Sequence, residues 1–385
     1  MAKILLKNAV LLDHKYALEQ KDVLVSDNLI EAVESGISRE AAQIVFDLNG
    51  YTLMPGMFNN HIHLVEPQGA ADKTFSEEYL KEFAMNGVTA VRDMGIDKKY
   101  KTYEDYIAWK ATMDTPEHPE LFTYGYFQRM FELVFGPPPS EDGAMPPMPK
   151  RPPEPYHKTV EEAVAAVEEA HKYGCCGIKI HGFRRGDEEY AKLKAMVDVA
   201  EGYGMLVGAH INTTDECLAL MDCGAHEAAH IATDLTDQAA IDRMVEYGFV
   251  VTPTVANYYR MNRDGMFRHG EYDNILKNIE NYHKAGIKMT VGTDFMGTKD
   301  KPYVDTDIPV TEMAMMCSCG MSVQEVIAAA TINSAETCSA ANRMGSIETG
   351  KLANLIAVRA EITPDFEALR VVDFVMNRGK VIKNL

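Results

Sequence analysis

Between residue 51 and about residue 340 the chain alternates short apolar runs with helix-patterned segments, and it does so eight times. The apolar runs fall at 53–64, 88–93, 121–127, 177–181, 205–210, 224–230, 249–253 and 287–294. Helical spacing marks 77–86, 103–113 and the stretch opening at Thr159, where Thr-Val-Glu-Glu fits a helix cap. The segments 235–247 and 272–285 are each closed by a glycine, Gly248 and Gly286. Strand–helix units repeated eight times are the signature of a TIM-like (β/α)8 barrel, so the fold class expected is α/β.

The two ends of the chain read differently. Short β-branched and leucine-rich runs at 3–12 and 22–30 break at Ser26-Asp27-Asn28, and similar runs at 352–358, 371–378 and 380–382 surround Gly379. This predicts a small β-sandwich assembled from 1–50 and 345–385, with the barrel occupying 51–344. One stretch refuses the barrel pattern: 136–156 is dense in proline, which blocks helix and ladder alike. Such an insertion on the C-terminal side of a barrel strand is either a surface loop or a lid.

Composition narrows the partners. With 38 Lys+Arg against 57 Asp+Glu the formal charge is −19, which argues against nucleic acid and anionic membranes as default partners; a small-molecule substrate is the expected one. Seven cysteines without a Cys-x-x-Cys pair suggest neither a disulfide framework nor a zinc ribbon. No long apolar span and no cleavable leader are visible, so the cytoplasm is the expected compartment.

The first apolar run ends in His61-Ile62-His63. On a strand, residues two apart share a face, so both imidazoles project from one side and make half of a metal site. Two histidines can also sit there unrelated, so the pair needs partners. Active sites of such barrels lie at the C-terminal strand ends. Those ends carry Lys179 on the fourth strand, His210 on the fifth, His230 on the sixth and Asp294 on the eighth.

These motifs as a set resemble the amidohydrolase superfamily, in particular its imidazolonepropionase and prolidase-like branch of metal-dependent hydrolases. Pro55-Gly56 through His63 resembles the opening motif, Gly177-Ile178-Lys179-Ile180 the lysine motif and Gly292-Thr293-Asp294 the final aspartate motif. Gly345 through Leu355 closes the pattern. The resemblance implies two divalent ions, zinc being the expected one. His61, His63 and Asp294 would hold the inner ion, and His210 and His230 the outer. Lys179 would bridge both as a CO2-derived carbamate, since an ammonium cannot ligate a cation and a carbamate can. Asp294 would also act as general base and acid in hydrolysis of an amide, dipeptide-like or cyclic-amide C–N bond. Related enzymes often form multimers, so a homo-oligomer is allowed.

Three departures stand out. Asn59 replaces the usual aspartate two residues before the first ligand; it would orient an imidazole without charge, which points to weaker inner-site affinity. Asn354 replaces a second aspartate, in the sheet domain. After the lysine strand, His181-Gly182-Phe183-Arg184-Arg185 replaces a Ser-Gly-Gly-like turn, which makes Arg184 and Arg185 candidates for gripping a substrate carboxylate. Tyr258, after the seventh strand, either lines the pocket or packs there. A deaminase, lactonase or lyase on the same barrel is the first alternative, and a metal-free binding protein a distant one.

Overall fold

The computed structural model describes residues 2–64, 73–96, 103–128, 159–181, 190–265, 267, 270–294 and 308–385. The proline-rich stretch 136–156 lies outside the described residues.

Five strands open the chain: β1 (Ile4–Leu12), β2 (Ala17–Ser26), β3 (Leu29–Glu34), β4 (Ile44–Asp47) and β5 (Thr52–Pro55). Eight more follow, β6 (Met57–Ile62), β7 (Val88–Ile96), β8 (Glu120–Gln128), β9 (Gly177–His181), β10 (Leu206–His210), β11 (Glu227–Ala229), β12 (Val250–Thr252) and β13 (Lys288–Met289). The last three are β14 (Leu355–Val358), β15 (Phe374–Asn377) and β16 (Lys380–Lys383).

Strands β1–β5 and β14–β16 form one mixed sheet in the order β16-β15-β14-β5-β1-β2-β3, with β4 also pairing β1. Its turns follow from local chemistry. Between β15 and β16 only Arg378 and Gly379 intervene, with φ of 51° and 74°, the left-handed pair that suits a two-residue hairpin. Gly379 is also needed for space, since a Cβ there would lie 2.1 Å from the Asp27 carbonyl oxygen in the β2–β3 turn. Leu6, Leu11, Val23, Leu53, Leu355, Phe374 and Met376 make up much of the buried core on this sheet.

Strands β6–β13 form the second sheet, and their order follows the chain from β6 to β13. Each described pairing from β8 to β13 is parallel. Helices separate the strands: α1 (Lys73–Met85), α2 (Tyr103–Thr112), α3 (Val160–Lys172), α4 (Tyr190–Gly202), α5 (Thr214–Cys223), α6 (Gln238–Tyr247), α7 (Val255–Arg263) and α8 (Glu271–Ala285). Parallel neighbours need such crossovers, and the apolar stripe of each helix is what the sheet face covers. Caps fix the helix ends. The Thr159 hydroxyl accepts from the Glu162 N–H at the start of α3, and Gly224, Gly248 and Gly286 end α5, α6 and α8 in the left-handed region.

Three strands differ from the sequence expectation. The first run, 53–64, is split: β5 pairs with β1 and β14 in the mixed sheet, so only β6 belongs to the second sheet and the expected boundary at residue 51 shifts to about 56. Gly224 is the stop of α5, so the sixth barrel strand begins only at Glu227. The eighth pairs with β12 over Lys288–Met289 alone. Beyond it the backbone trades ladder bonds for others: Asn60 N–H donates to Val291 O (2.8 Å), Asp294 N–H to His61 O (2.8 Å) and Val291 N–H to Ala329 O (3.2 Å).

The chain divides into two compact units, Met1–Arg92 with Ala108–Phe122 and Thr290–Leu385, and Asp93–Ile107 with Thr123–Met289. Among the described residues no helix is long and apolar enough to cross a membrane.

Candidate metal centre

In the first unit, β6 delivers His61 and the residue after its end delivers His63. Their Nε2 atoms face each other at 3.3 Å, with ring centroids 5.3 Å apart. Asp294 Oδ1 lies 3.3 Å from His61 Nε2 and 3.2 Å from His63 Nε2. His61 is fully buried. Two neutral imidazoles turned nitrogen to nitrogen beside a carboxylate oxygen leave lone pairs crowded together. A divalent cation among them relieves that crowding, and N/N/O is a donor set it accepts. The residues fit a metal.

The surroundings of these ligands are fixed by hydrogen bonds. Asp294 sits at φ 55°, a left-handed turn that its N–H bond to His61 O maintains. Asn59, one position before Asn60 and fully buried, takes Thr293 at both ends: its Oδ1 accepts from Thr293 N–H (3.0 Å) and its Nδ2 donates to Thr293 Oγ1 (2.7 Å). The Asn59 side chain therefore acts on the residue next to Asp294. Asn60 Nδ2 donates to Thr290 Oγ1 (3.1 Å) and Thr337 Oγ1 (2.7 Å), and the buried Arg92 guanidinium donates through Nε to Asn60 O (2.8 Å). The end of β6 is thus held by side chains as well as by the ladder.

In the second unit, Lys179 lies mid-strand in β9 at 1% exposure. His210 is the last residue of β10, and His230 follows the end of β11. Their rings meet edge to face, with centroids 4.4 Å apart at 68°. His230 takes φ 83°, outside the strand conformation, which turns its ring. Its Nδ1 lies 2.7 Å from Thr254 Oγ1. When Nδ1–H donates to that hydroxyl, the tautomer leaves a lone pair on Nε2, the state a metal requires.

Thr254 is itself left-handed, at φ 52°, where β12 hands over to α7. In the sequence nothing in Pro253-Thr254 announces a hydroxyl aimed at a histidine. Tyr258, in α7, is buried and meets His230 edge-on with centroids 6.1 Å apart, so it lies against a candidate ligand; Tyr259 is exposed. A buried acid that the sequence reading did not single out, Glu227, stands in β11 with Thr252 Oγ1 donating to its Oε1 at 2.5 Å. Arg184 and Arg185 lie outside the described residues.

The chain is similar to proteins of known kinds. It is 29% identical over 107 residues to the dihydroorotase of Halalkalibacterium halodurans, 28% of this chain and 24% of that protein. It is 36% identical over 77 residues to a probable imidazolonepropionase of Nematostella vectensis, 20% of this chain and 17% of that protein. These matches span about a quarter or less of each curated relative. Among solved structures, a Xaa-Pro dipeptidase with bound methionine in its active site superposes with a TM-score of 0.78. It is 23% identical, over 99% of this chain and 100% of that one, and so shares its fold. The model of the amidohydrolase family matches residues 52–382, which spans both sets of candidate ligands, and the chain belongs to that family.

Proposed function

We propose that this chain is a binuclear metal-dependent hydrolase of a C–N bond in an amide, dipeptide-like or cyclic-amide small molecule. It would work on a (β/α)8 barrel running from β6 to about residue 344, with a β-sandwich built from the two ends of the chain. The observation that carries the reading is the convergence of His61 Nε2, His63 Nε2 and Asp294 Oδ1 within 3.3 Å of one another. Family membership supports it, as do the position of Lys179 within β9, of His210 at the end of β10 and of His230 directly after β11.

In this reading His61, His63 and Asp294 would hold the inner ion, His210 and His230 the outer, and Lys179 would serve both as a carbamate, formed when its ammonium loses one proton, the free amine adds to the carbon of CO2 and a second proton leaves, so that one N–H remains. Bound there, two divalent ions, zinc by expectation, supply a water of lowered pKa and a Lewis acid for the substrate carbonyl. Asp294 would take a proton from the attacking water on its carboxylate and pass it to the leaving nitrogen. Its left-handed backbone, set by the His61 carbonyl and the Asn59–Thr293 pair, aims the carboxylate. His230 is kept in one tautomer by Thr254, and Tyr258 supplies a wall beside it. Arg184 and Arg185 are the candidates for gripping a substrate carboxylate.

The deciding experiment is metal quantification followed by a hydrolysis screen over N-acyl amino acids, dipeptides, cyclic amides, lactones and aryl amides. Two ions per chain and turnover of a C–N substrate are expected, with Lys179→Ala losing both. One ion per chain would favour a deaminase. A Lys179→Ala variant with full metal content and unchanged turnover would sink the mechanism.

A further inference from the structure

Lys179, Gly208 and Glu227 are successive register partners on β9, β10 and β11. Side chains in one register row of a parallel sheet leave on the same face, so Lys179 and Glu227 share a face with a glycine between them. Both are buried, at 1% and 2% exposure. Gly208 has no side chain to fill the gap. A Cβ built there would lie 3.8 Å from Glu227 Oε2 and 3.8 Å from the ring of Tyr124, so the carboxylate edge reaches over the glycine. The other oxygen is anchored, since Thr252 Oγ1 donates to Oε1 at 2.5 Å. Lys179 and Glu227 stand two strand spacings apart, roughly 10 Å between Cα atoms, a gap that a lysine and a glutamate side chain bridge together.

We propose that Glu227 is the positioning residue of Lys179, with its Oε2 accepting a hydrogen bond from the lysine nitrogen across Gly208. This rests on the carbamate reading of Lys179 given above. The nitrogen carries an N–H both as an ammonium and after carboxylation, so one fixed acceptor serves both states. Once the carbamate exists, that bond fixes its rotation and turns its two oxygens away from the Glu227 carboxylate, where repulsion between like charges would also send them. Thr252 makes the acceptor rigid, and Gly208 keeps the path open.

The test uses the full chain loaded with zinc alone in 13C-bicarbonate, reading the carbamate carbon by NMR and zinc affinity by chelator competition. Glu227→Leu should lose the carbamate signal and bind zinc about 10- to 100-fold more weakly, as loss of an outer partner does. Glu227→Gln, which keeps an acceptor oxygen, should lose less. A folded Glu227→Leu that keeps both signal and affinity overturns the proposal. Should that variant fail to fold, Thr252→Val decides: a reduced signal supports the proposal and an unchanged one overturns it. Zinc bound by the unsubstituted protein with no carbamate signal would instead refute the carbamate reading, and this inference with it.

Discussion

A hydroxyl opposite His230 is the smallest feature on which the candidate site turns. Thr254 Oγ1 lies 2.7 Å from His230 Nδ1, and removing it frees the imidazole to rotate or change tautomer. Thr254→Ala is therefore expected to weaken metal binding about 10- to 100-fold, measured by competition with a chelator, whereas Thr254→Ser should stay close to the unsubstituted protein. At this scale the sequence is legible for groups whose spacing is itself the signal. His61 and His63, two apart at the end of an apolar run, converge because strand geometry gives them no choice. Thr254 and Glu227 carry no such spacing; their partners come from other strands, and only the assembled sheet brings them there. Asn59 is an intermediate case. Its position beside the ligands is legible, but its bonds to Thr293 depend on residues more than two hundred positions later.

Elements depend on close approach as much as on pattern. A Cβ on Gly177, at the start of β9, would lie 2.5 Å from the Tyr124 ring and 2.6 Å from the Leu206 carbonyl oxygen. The tyrosine is fully buried and the carbonyl belongs to the chain next to β9, so neither has room to yield. Gly177→Ala should cost about 1–3 kcal/mol or more through overpacking, read as a lower urea midpoint, and should displace the strand that carries Lys179. Helix ends were legible in advance, since a threonine cap and closing glycines act within a few residues. Strand ends were less so. Gly224 reads equally as a helix stop or a strand start, and the run into Asp294 is apolar enough for a strand although its backbone bonds leave the ladder after Met289.

Across the molecule, charge and connectivity take over. Asp22, buried in the mixed sheet, is pulled up by burial, yet the hydrogen bonds from the Asn8 N–H, the Lys7 ammonium and the Ile37 N–H outweigh that and hold its carboxyl below the ordinary range. A depressed folded pKa gives stability that is present above the unfolded value, near 3.9, and is lost as pH falls through the folded value. Acid unfolding should therefore steepen below about pH 4. Asp22→Asn should be less stable at neutral pH by about 1–3 kcal/mol and show a flatter acid limb in a denaturant–pH series. The acidic composition was plain from the sequence, but which carboxylates are anchored was not, because Asp22 meets Lys7 only once β1 and β2 pair, and Ile37 only once β2 and β3 do. The mixed sheet sets a further condition, on time. Its strand β5 pairs with β14, placing Pro55 opposite Leu355, three hundred positions apart in the chain. At about 5–20 residues per second, a ribosome takes roughly 15–60 s to deliver that partner. Throughout that interval the early strands carry an open, apolar edge, and the nascent chain must be shielded there or risk pairing with its neighbours on the same message.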